Sequence, residues 1–488
     1  MNQLNKEVAK KQERPVKVIQ FGEGNFLRGF VDYMIDVANE TGVFDGDIVI
    51  VKPIAFGSLD RFREQECQYT VSLRGIADGI ASVKNRLVTS VTDAVGAYEE
   101  YKTYSELAKL DTLRFVVSNT TEAGIVYDPD DRLEYCPPKS FPGKLTKFLY
   151  ERFCFFAGAE DKGLIMLPVE LIDDNGVHLK ECVLRLAQDW NLETEFVSWV
   201  ERNCVFCSTL VDRIITGYPK DEEEELWKQF GYRDELIVTG EPFALWVIES
   251  EQDIKEELPL DRAGLPVLFT KNQKPYKQRK VRILNGAHTS FVLASYLAGN
   301  NSVLESMEDN LIREFMLRTI YDEIIPTLTL PEEELKQFAE AVVVRFRNPY
   351  VKHVLLSIAL NSVPKWRARC MPSFLGYVER YGVLPKRLTF SLAALIAFYS
   401  GSEIREKALI GYRGEEEYKI LDDESVLQFF AENSKKPAEE LVTAFLEQEN
   451  LWGQNLTEIT GLCEMVSSAL EDIRRLGMRE AIQKQCKD

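Results

Sequence analysis

The sequence predicts an α/β domain followed by an all-α domain, and three observations carry that reading. Short apolar runs alternate with amphipathic helical patterns through the first half, as expected of βαβ units with a largely parallel sheet. A glycine-punctuated turn joins the first apolar run to the first helical pattern. Beyond about residue 271 the strand signals fade and helical patterns follow one another. The expected boundaries are a polar N-terminal tail at 1–14, a dinucleotide-binding, Rossmann-like sheet domain at 15–270, and a mostly helical substrate and catalytic domain at 271–488.

The elements follow in order. Residues 16–21 read as a short buried strand and 26–38 as a helix, with Gly22-Glu-Gly-Asn-Phe26 between them. A second apolar strand covers 47–51, and 68–74 alternates like a strand with one wet face. Residues 98–110 are helix-like, 113–117 form another buried run, and 163–168 a further strand. Helical patterns then cover 178–190 and 193–202. In the second domain the amphipathic candidates are 280–297, 311–325, 331–346, 351–362, 388–399, 437–447 and 456–476.

Composition narrows the function. At 488 residues the chain has room for a large core, and 45% hydrophobic with 28% charged residues is ordinary for a globular protein. The tail lacks an apolar signal-peptide core, and no apolar run approaches the roughly twenty residues of a membrane span, so a cytoplasmic protein is expected. A net charge of −19 argues against nucleic acid or an anionic membrane as a partner, while leaving room for an anionic small ligand at a helix N-terminus. Nine scattered cysteines suit reduced thiols. Cys204 and Cys207 make a CxxC, but no second pair supplies the other two ligands of a zinc site, and two buried thiols are the plainer reading. No metal is expected.

The turn after Phe21 is built to bring backbone to a pyrophosphate: a strand, Gly22-x-Gly24, then a helix opened by Asn25 and Phe26. Leu27 stands where the usual third glycine would be. Arg28 either adds a cation near the phosphates or lies exposed in the first helical turn. NAD is the expected cofactor with NADP left open, because the second strand ends in Lys52-Pro53 without the acidic residue that would accept ribose hydroxyls and favour NAD; Lys52 faces either solvent or a 2′-phosphate, and Asp60 is a possible acidic substitute. Ser118-Asn-Thr-Thr-Glu-Ala-Gly124 follows another strand, which sends Asn119 and Thr120 to the nicotinamide side or makes them a helix cap.

The chemistry is densest at Lys280-Val-Arg-Ile-Leu-Asn285-Gly-Ala-His288. At about 100° per residue, Asn285 and His288 fall about 140° and 80° around a helix from Lys280, so all three can face one cavity. A desolvated lysine there has a lowered pKa and trades protons with a substrate hydroxyl, while the amide and imidazole hold the oxygen that changes charge.

These segments together resemble the polyol-specific long-chain dehydrogenases, the mannitol dehydrogenase family. The likeness runs nearly the length of the chain: residues 20–28, 118–125, 137–145 and 211–214, then Glu241-Pro-Phe243, Trp246-Val-Ile-Glu249, 280–288, Asn348-Pro-Tyr350 with His353, and Asn361-Ser362. It implies direct hydride transfer without a metal, with Lys280 as general acid/base and Asn285 and His288 orienting the carbonyl. Mannitol-type members carry Cys-Asp-Asn-Leu-Pro shortly before an Asn-Gly; here the stretch is Val169-Glu-Leu-Ile-Asp-Asp-Asn-Gly176, with Leu171 in place of that second asparagine. The departure points to the uronate branch, and so to reversible reduction of tagaturonate to altronate. Fructuronate and hexitols are the alternative substrates, and a non-catalytic dinucleotide-binding regulator is the alternative of another class. Glu170 is then a proton relay, a contact to a substrate hydroxyl, or a helix-start carboxylate. A sugar acid also needs a partner for its carboxylate, for which Lys365 and Arg369 are candidates. His353 is placed either near the substrate or in the core of a helix. Oligomeric state is not readable from the sequence.

Overall fold

The apolar run at the start of the chain becomes β1 (Val16–Phe21), the inner strand of a six-stranded parallel sheet. The computed structural model describes residues 1–77, 80–120 and 124–486. The chain divides into two compact units, Met1–Gln273 and Lys274–Asp488.

In the first unit, β2 (Asp47–Lys52), β3 (Val91–Gly96), β4 (Phe115–Ser118), β5 (Ile165–Pro168) and β6 (Val205–Phe206) complete the sheet, in spatial order 3-2-1-4-5-6. That is the doubly wound order in which chain direction reverses beside β1, leaving a crevice at the carboxyl ends of β1 and β4. Alternate residues feed opposite faces: Val18, Ile48 and Ile50 join one core, while Ile19, Phe21, Val49 and Val51 join the other. Burial on both faces is why these strands read as continuous apolar runs. The helix expected at 26–38 is α1 (residues 25–40), which contains one wide π-helical turn at Arg28–Asp32. Two further helices matter to the site, α2 (Phe141–Phe155) and α3 (Asn175–Asp189).

Two smaller sheets flank this core. Tyr69–Ala77 pairs with Ile80–Val88 and with Val238–Gly240, which pairs in turn with Ile215–Gly217. Leu245–Glu249 lies between Ser208–Asp212 and Val267–Thr270. The polar tail is tied to this unit: Gln3 bridges to Arg233, and Leu4 is fully buried.

The second unit is mostly helical. Its first helix, α4 (residues 274–297), contains a π-helical turn at Lys280–Asn285. It is followed by α5 (Glu332–Phe346), α6 (Ser362–Arg369), α7 (Met371–Tyr381), α8 (Lys386–Phe398) and α9 (Leu462–Leu476), among shorter helices. Leu388, Phe390, Leu392, Leu395, Ile396 and Phe398 are all buried, so α8 is apolar around its whole circumference and forms the centre of the bundle.

Two features depart from the helical patterns read above. A three-stranded meander, Ile404–Arg405, Ala408–Arg413 and Glu416–Ile420, lies within this unit. The expected helix at 351–362 is reduced to Leu355–Ile358. Pro349 biases the residue before it away from helix, and Asn361, at φ 52°, ends the stretch in the left-handed region. His353 therefore lies in an extended segment rather than a helix, where its carbonyl accepts from the Val303 amide at 2.9 Å.

Candidate active site

One group of candidate residues belongs to the first unit. Gly22 adopts φ +123°, and a Cβ there would lie 3.2 Å from the Asn119 carbonyl oxygen, so only glycine fits without strain. Gly24 is extended and exposed at the start of α1. A cavity of about 610 Å³ opens above this turn, walled by Gly22, Gly24, Pro53, Asn119, Thr120 and Lys144 among others. These residues lie at the carboxyl ends of β1, β2 and β4 and near the start of α2, the location a doubly wound sheet offers a dinucleotide. The glycine turn, the helix opening behind it and the cavity fit such a cofactor. Lys144 is almost fully buried, which pushes its amine down to about 8; it donates to the Lys139 carbonyl at 2.7 Å.

Several cofactor candidates do other work. Phe21 is fully buried and packs its ring on Phe141 and Tyr104, with centroids 5.1 and 6.0 Å away, so it is a core residue. Phe26 is half-buried and stacks on Phe30. Arg28 turns inward instead of meeting phosphate: its guanidinium donates to the carbonyls of Glu23 and Leu236 and to the Asn25 side chain, fixing the turn from beneath. Asn25 itself is exposed. Lys52 faces neither solvent nor a 2′-phosphate. It is 2% exposed, and its ammonium donates to the carbonyls of Ile54 and Phe56 and to Glu99 at 2.9, 3.2 and 2.7 Å, which uses all three donors.

Glu170 follows β5 and is 2% exposed. One carboxylate oxygen accepts from the Thr120 amide and hydroxyl, at 3.0 and 2.9 Å, and the other from the Ser118 hydroxyl at 3.0 Å. Burial raises its pKa, and these hydrogen bonds oppose the shift. Asn175, at the start of α3, is fully buried and donates to the carbonyls of Pro168, Glu170 and Thr209, which locks the chain on either side of Val169. The following Gly176 is required because a Cβ would sit 2.2 Å from the Cys207 carbonyl oxygen. Leu171, at the asparagine position of mannitol-type members, is 64% exposed. Thr121, Glu122 and Ala123 of the 118–124 segment lie outside the described residues.

A second group of candidate residues lies in the second unit, on α4. The wide turn at Lys280–Asn285 changes the angular reading, because i to i+5 bonding brings residue 285 nearly over residue 280, closer than a regular helix would. Lys280, Asn285 and His288 are all half-buried. Gly286 lets the helix approach the Arg369 carbonyl, 3.1 Å from where a Cβ would stand, and the Cys370 thiol lies 3.5 Å from the Gly286 carbonyl. Arg282 donates to the Ser373 hydroxyl at 2.6 Å and the Thr327 hydroxyl at 3.0 Å, clipping the wide turn to two neighbouring elements.

The His288 ring stacks on Phe346 with centroids 4.1 Å apart and meets His353 edge-on at 5.6 Å. Its Nε2 is buried, with no hydrogen-bond partner among the described residues. Burial lowers its pKa well below the usual value, and His353, Arg345, Arg369 and Lys365 lower it further, which favours the neutral ring. His353 is lowered by burial and by Arg345. Lys365 donates to the Ile358 carbonyl at 3.0 Å, and burial and Arg369 lower its pKa. In the second unit His353 thus meets His288 directly, and the charges of Arg345, Lys365 and Arg369 act on it.

Arg345 and Asn175 escaped the sequence reading. Arg345 is 8% exposed at the end of α5, and its signal was a lone cation in Val342-Val-Val-Arg-Phe346. Asn175 was read only as part of an Asn-Gly pair. Cys204 and Cys207 are buried, and burial raises both thiols to about 12. Among the described residues no group of three or more His, Cys, Asp or Glu could hold a metal ion, and no helix is long and apolar enough to cross a membrane.

Residues 16–262 match the mannitol dehydrogenase Rossmann domain, and 272–474 match the mannitol dehydrogenase C-terminal domain. A protein of Pectobacterium atrosepticum named altronate oxidoreductase is 47% identical over 488 residues, covering 100% of both chains. Among solved structures, the Pseudomonas fluorescens mannitol 2-dehydrogenase ternary complex with NAD and D-mannitol covers 100% of both chains at 19% identity with a TM-score of 0.69. A substrate-free D-sorbitol dehydrogenase covers 99% of this chain and 100% of its own at 21% identity with a TM-score of 0.78, so the fold is shared with both. The chain belongs to the mannitol dehydrogenase family and is an oxidoreductase acting on CH–OH groups.

Proposed function

We propose that this oxidoreductase interconverts tagaturonate and altronate with NAD as its redox partner. The observation that carries this reading is that the charges of Arg345, Lys365 and Arg369 all reach His288, whose ring packs on Phe346 and His353. A neutral ketose or hexitol brings no charge that these cations could pair with. The carboxylate of a sugar acid does, and arginine grips it through parallel hydrogen bonds. The full-length likeness to a protein named altronate oxidoreductase supports the same substrate.

Gly22, Gly24, Asn119 and Thr120 would hold the dinucleotide in the cavity they line. The NAD held by the mannitol 2-dehydrogenase neighbour supports that choice. When bound, the nicotinamide supplies hydride for reduction and accepts it in oxidation. Lys280 delivers the proton to the oxygen of the same carbon in reduction; in oxidation, neutral Lys280 removes it. Asn285 and His288 stabilise the negative charge that develops on that oxygen.

The test is a panel of tagaturonate, fructuronate and fructose reduced with NADH and with NADPH, with mannitol and NAD run in reverse. The expected result is fastest turnover on tagaturonate with NADH. Equal or faster turnover on fructose or mannitol would contradict the role given to the cations.

A further inference from the structure

Glu170 makes no hydrogen bond that its sequence context would single out, yet its carboxylate is spent on one short loop. Thr120 donates from both its amide and its hydroxyl, and Ser118 from its hydroxyl. That loop carries Asn119 and Thr120 into the wall of the cofactor cavity. Its backbone is also fixed to the glycine turn: the Asn119 amide donates to the Phe21 carbonyl at 3.1 Å, and the Asn119 carbonyl lies where any side chain on Gly22 would fall. The Glu170 carbonyl is held in turn by Asn175, and the Val169 amide donates to the Ser118 carbonyl at 2.9 Å. A carboxylate that is 2% exposed and already accepts three hydrogen bonds is poorly suited to exchange protons or to take up a substrate hydroxyl.

We propose that Glu170 is a positioning residue for the cofactor: it fixes Asn119 and Thr120 against the glycine turn and touches neither the substrate nor the transferred proton. This rests on the reading of the cavity as a nicotinamide dinucleotide site. Removing the carboxylate frees the loop at three points at once. An amide in its place keeps an acceptor for Thr120 and offers the Ser118 hydroxyl a donor.

The experiment titrates NADH into wild type, Glu170→Ala and Glu170→Gln by fluorescence without substrate, and then records kcat against pH at saturating NADH. Glu170→Ala is expected to raise the NADH Kd about tenfold or more, the scale of losing hydrogen bonds to a charged group. Its kcat should stay within about threefold and its pH profile should keep its shape. Glu170→Gln is expected to bind NADH within about threefold of wild type. Unchanged NADH affinity with collapsed turnover, or loss of one limb of the pH profile in Glu170→Gln, would overturn the proposal in favour of a proton relay. A rise in sugar-acid KM alone would overturn it in favour of a substrate contact. If Glu170→Ala does not give a cooperative melt, Glu170→Gln decides on the same criteria. Wild type that fails to bind NADH would sink the cofactor reading instead, and does so before any variant is compared.

Discussion

Both units present their chemistry from a helix that contains one wide turn, and the two turns are stabilised in opposite ways. In α1 every residue of Arg28–Asp32 is buried. Gly29 has no room for a side chain beside Ile215, and its carbonyl accepts from Arg213, at 2.8 Å, which also donates to the carbonyls of Pro242 and Phe243. In the turn of α4 only Ile283 and Leu284 are buried, and Arg282 is held by two hydroxyls. The first turn immobilises backbone, which suits the phosphate-bearing ligand proposed for that unit; the second presents side chains, which suits the proton transfer proposed for Lys280. The two functions should therefore be separable by mutation.

Lys280→Ala breaks the comparison at its strongest point. It is expected to lower kcat at least about a hundredfold, the scale of lost acid/base catalysis, while the NADH Kd from fluorescence titration stays unchanged. Weakened NADH binding would show that the lysine serves the cofactor. Arg369→Leu should raise the KM for tagaturonate about tenfold to a hundredfold, the range expected for one charged hydrogen bond, and leave the KM for fructose nearly unchanged. Equal effects on both sugars would mean that the guanidinium serves packing alone. Gly22→Ala acts on the other half. Strain at φ +123° of about 1–3 kcal/mol should appear as weaker NADH binding and a lower melting temperature, with kcat at saturation little altered.

The smallest effect concerns the buried acid behind the glycine turn. Burial raises Asp32 from 3.8 to about 7, against hydrogen bonds from Tyr69 and Gln20 and the charge of Arg28. Between those values the unfolded chain has lost a proton that the folded chain keeps. Stability from this group therefore falls as pH rises from about 4 to about 7 and is level above that. Asp32→Asn should flatten that slope and raise the melting temperature by a few degrees above pH 7. An unchanged slope would show that Asp32 is ionised in the fold.

The same contrast explains what was legible in the sequence. β1, β2, β4 and β5 were readable because burial on both faces makes them unbroken apolar runs, whereas β3 (Val-Thr-Asp-Ala-Val-Gly) exposes Thr92 and Asp93 and hides its strand character. The Lys280 cluster was legible as residue types, but its geometry was not. A fixed 100° step fails where the helix widens, and nothing in Lys-Val-Arg-Ile-Leu-Asn announces the wide turn. Charges misled in a consistent way: Arg28 and Lys52 looked like phosphate ligands, yet both are buried and bonded mainly to carbonyls. A sequence shows that a cation is present, and only packing decides whether it turns toward a ligand or toward the backbone. Arg345 illustrates the converse, a cation masked by its apolar neighbours whose charge the fold brings to bear on His288.

The central claim is direct hydride transfer to the keto carbon of a sugar acid, with the accompanying proton delivered from Lys280. It is tested most directly by incubating the enzyme with tagaturonate and NADH deuterated at the transferring position, and then analysing the product by mass spectrometry. The account predicts altronate carrying one deuterium at the former keto carbon, formed by wild type and hardly at all by Lys280→Ala over the same interval. Altronate without deuterium, or equal labelling by the lysine variant, would contradict it.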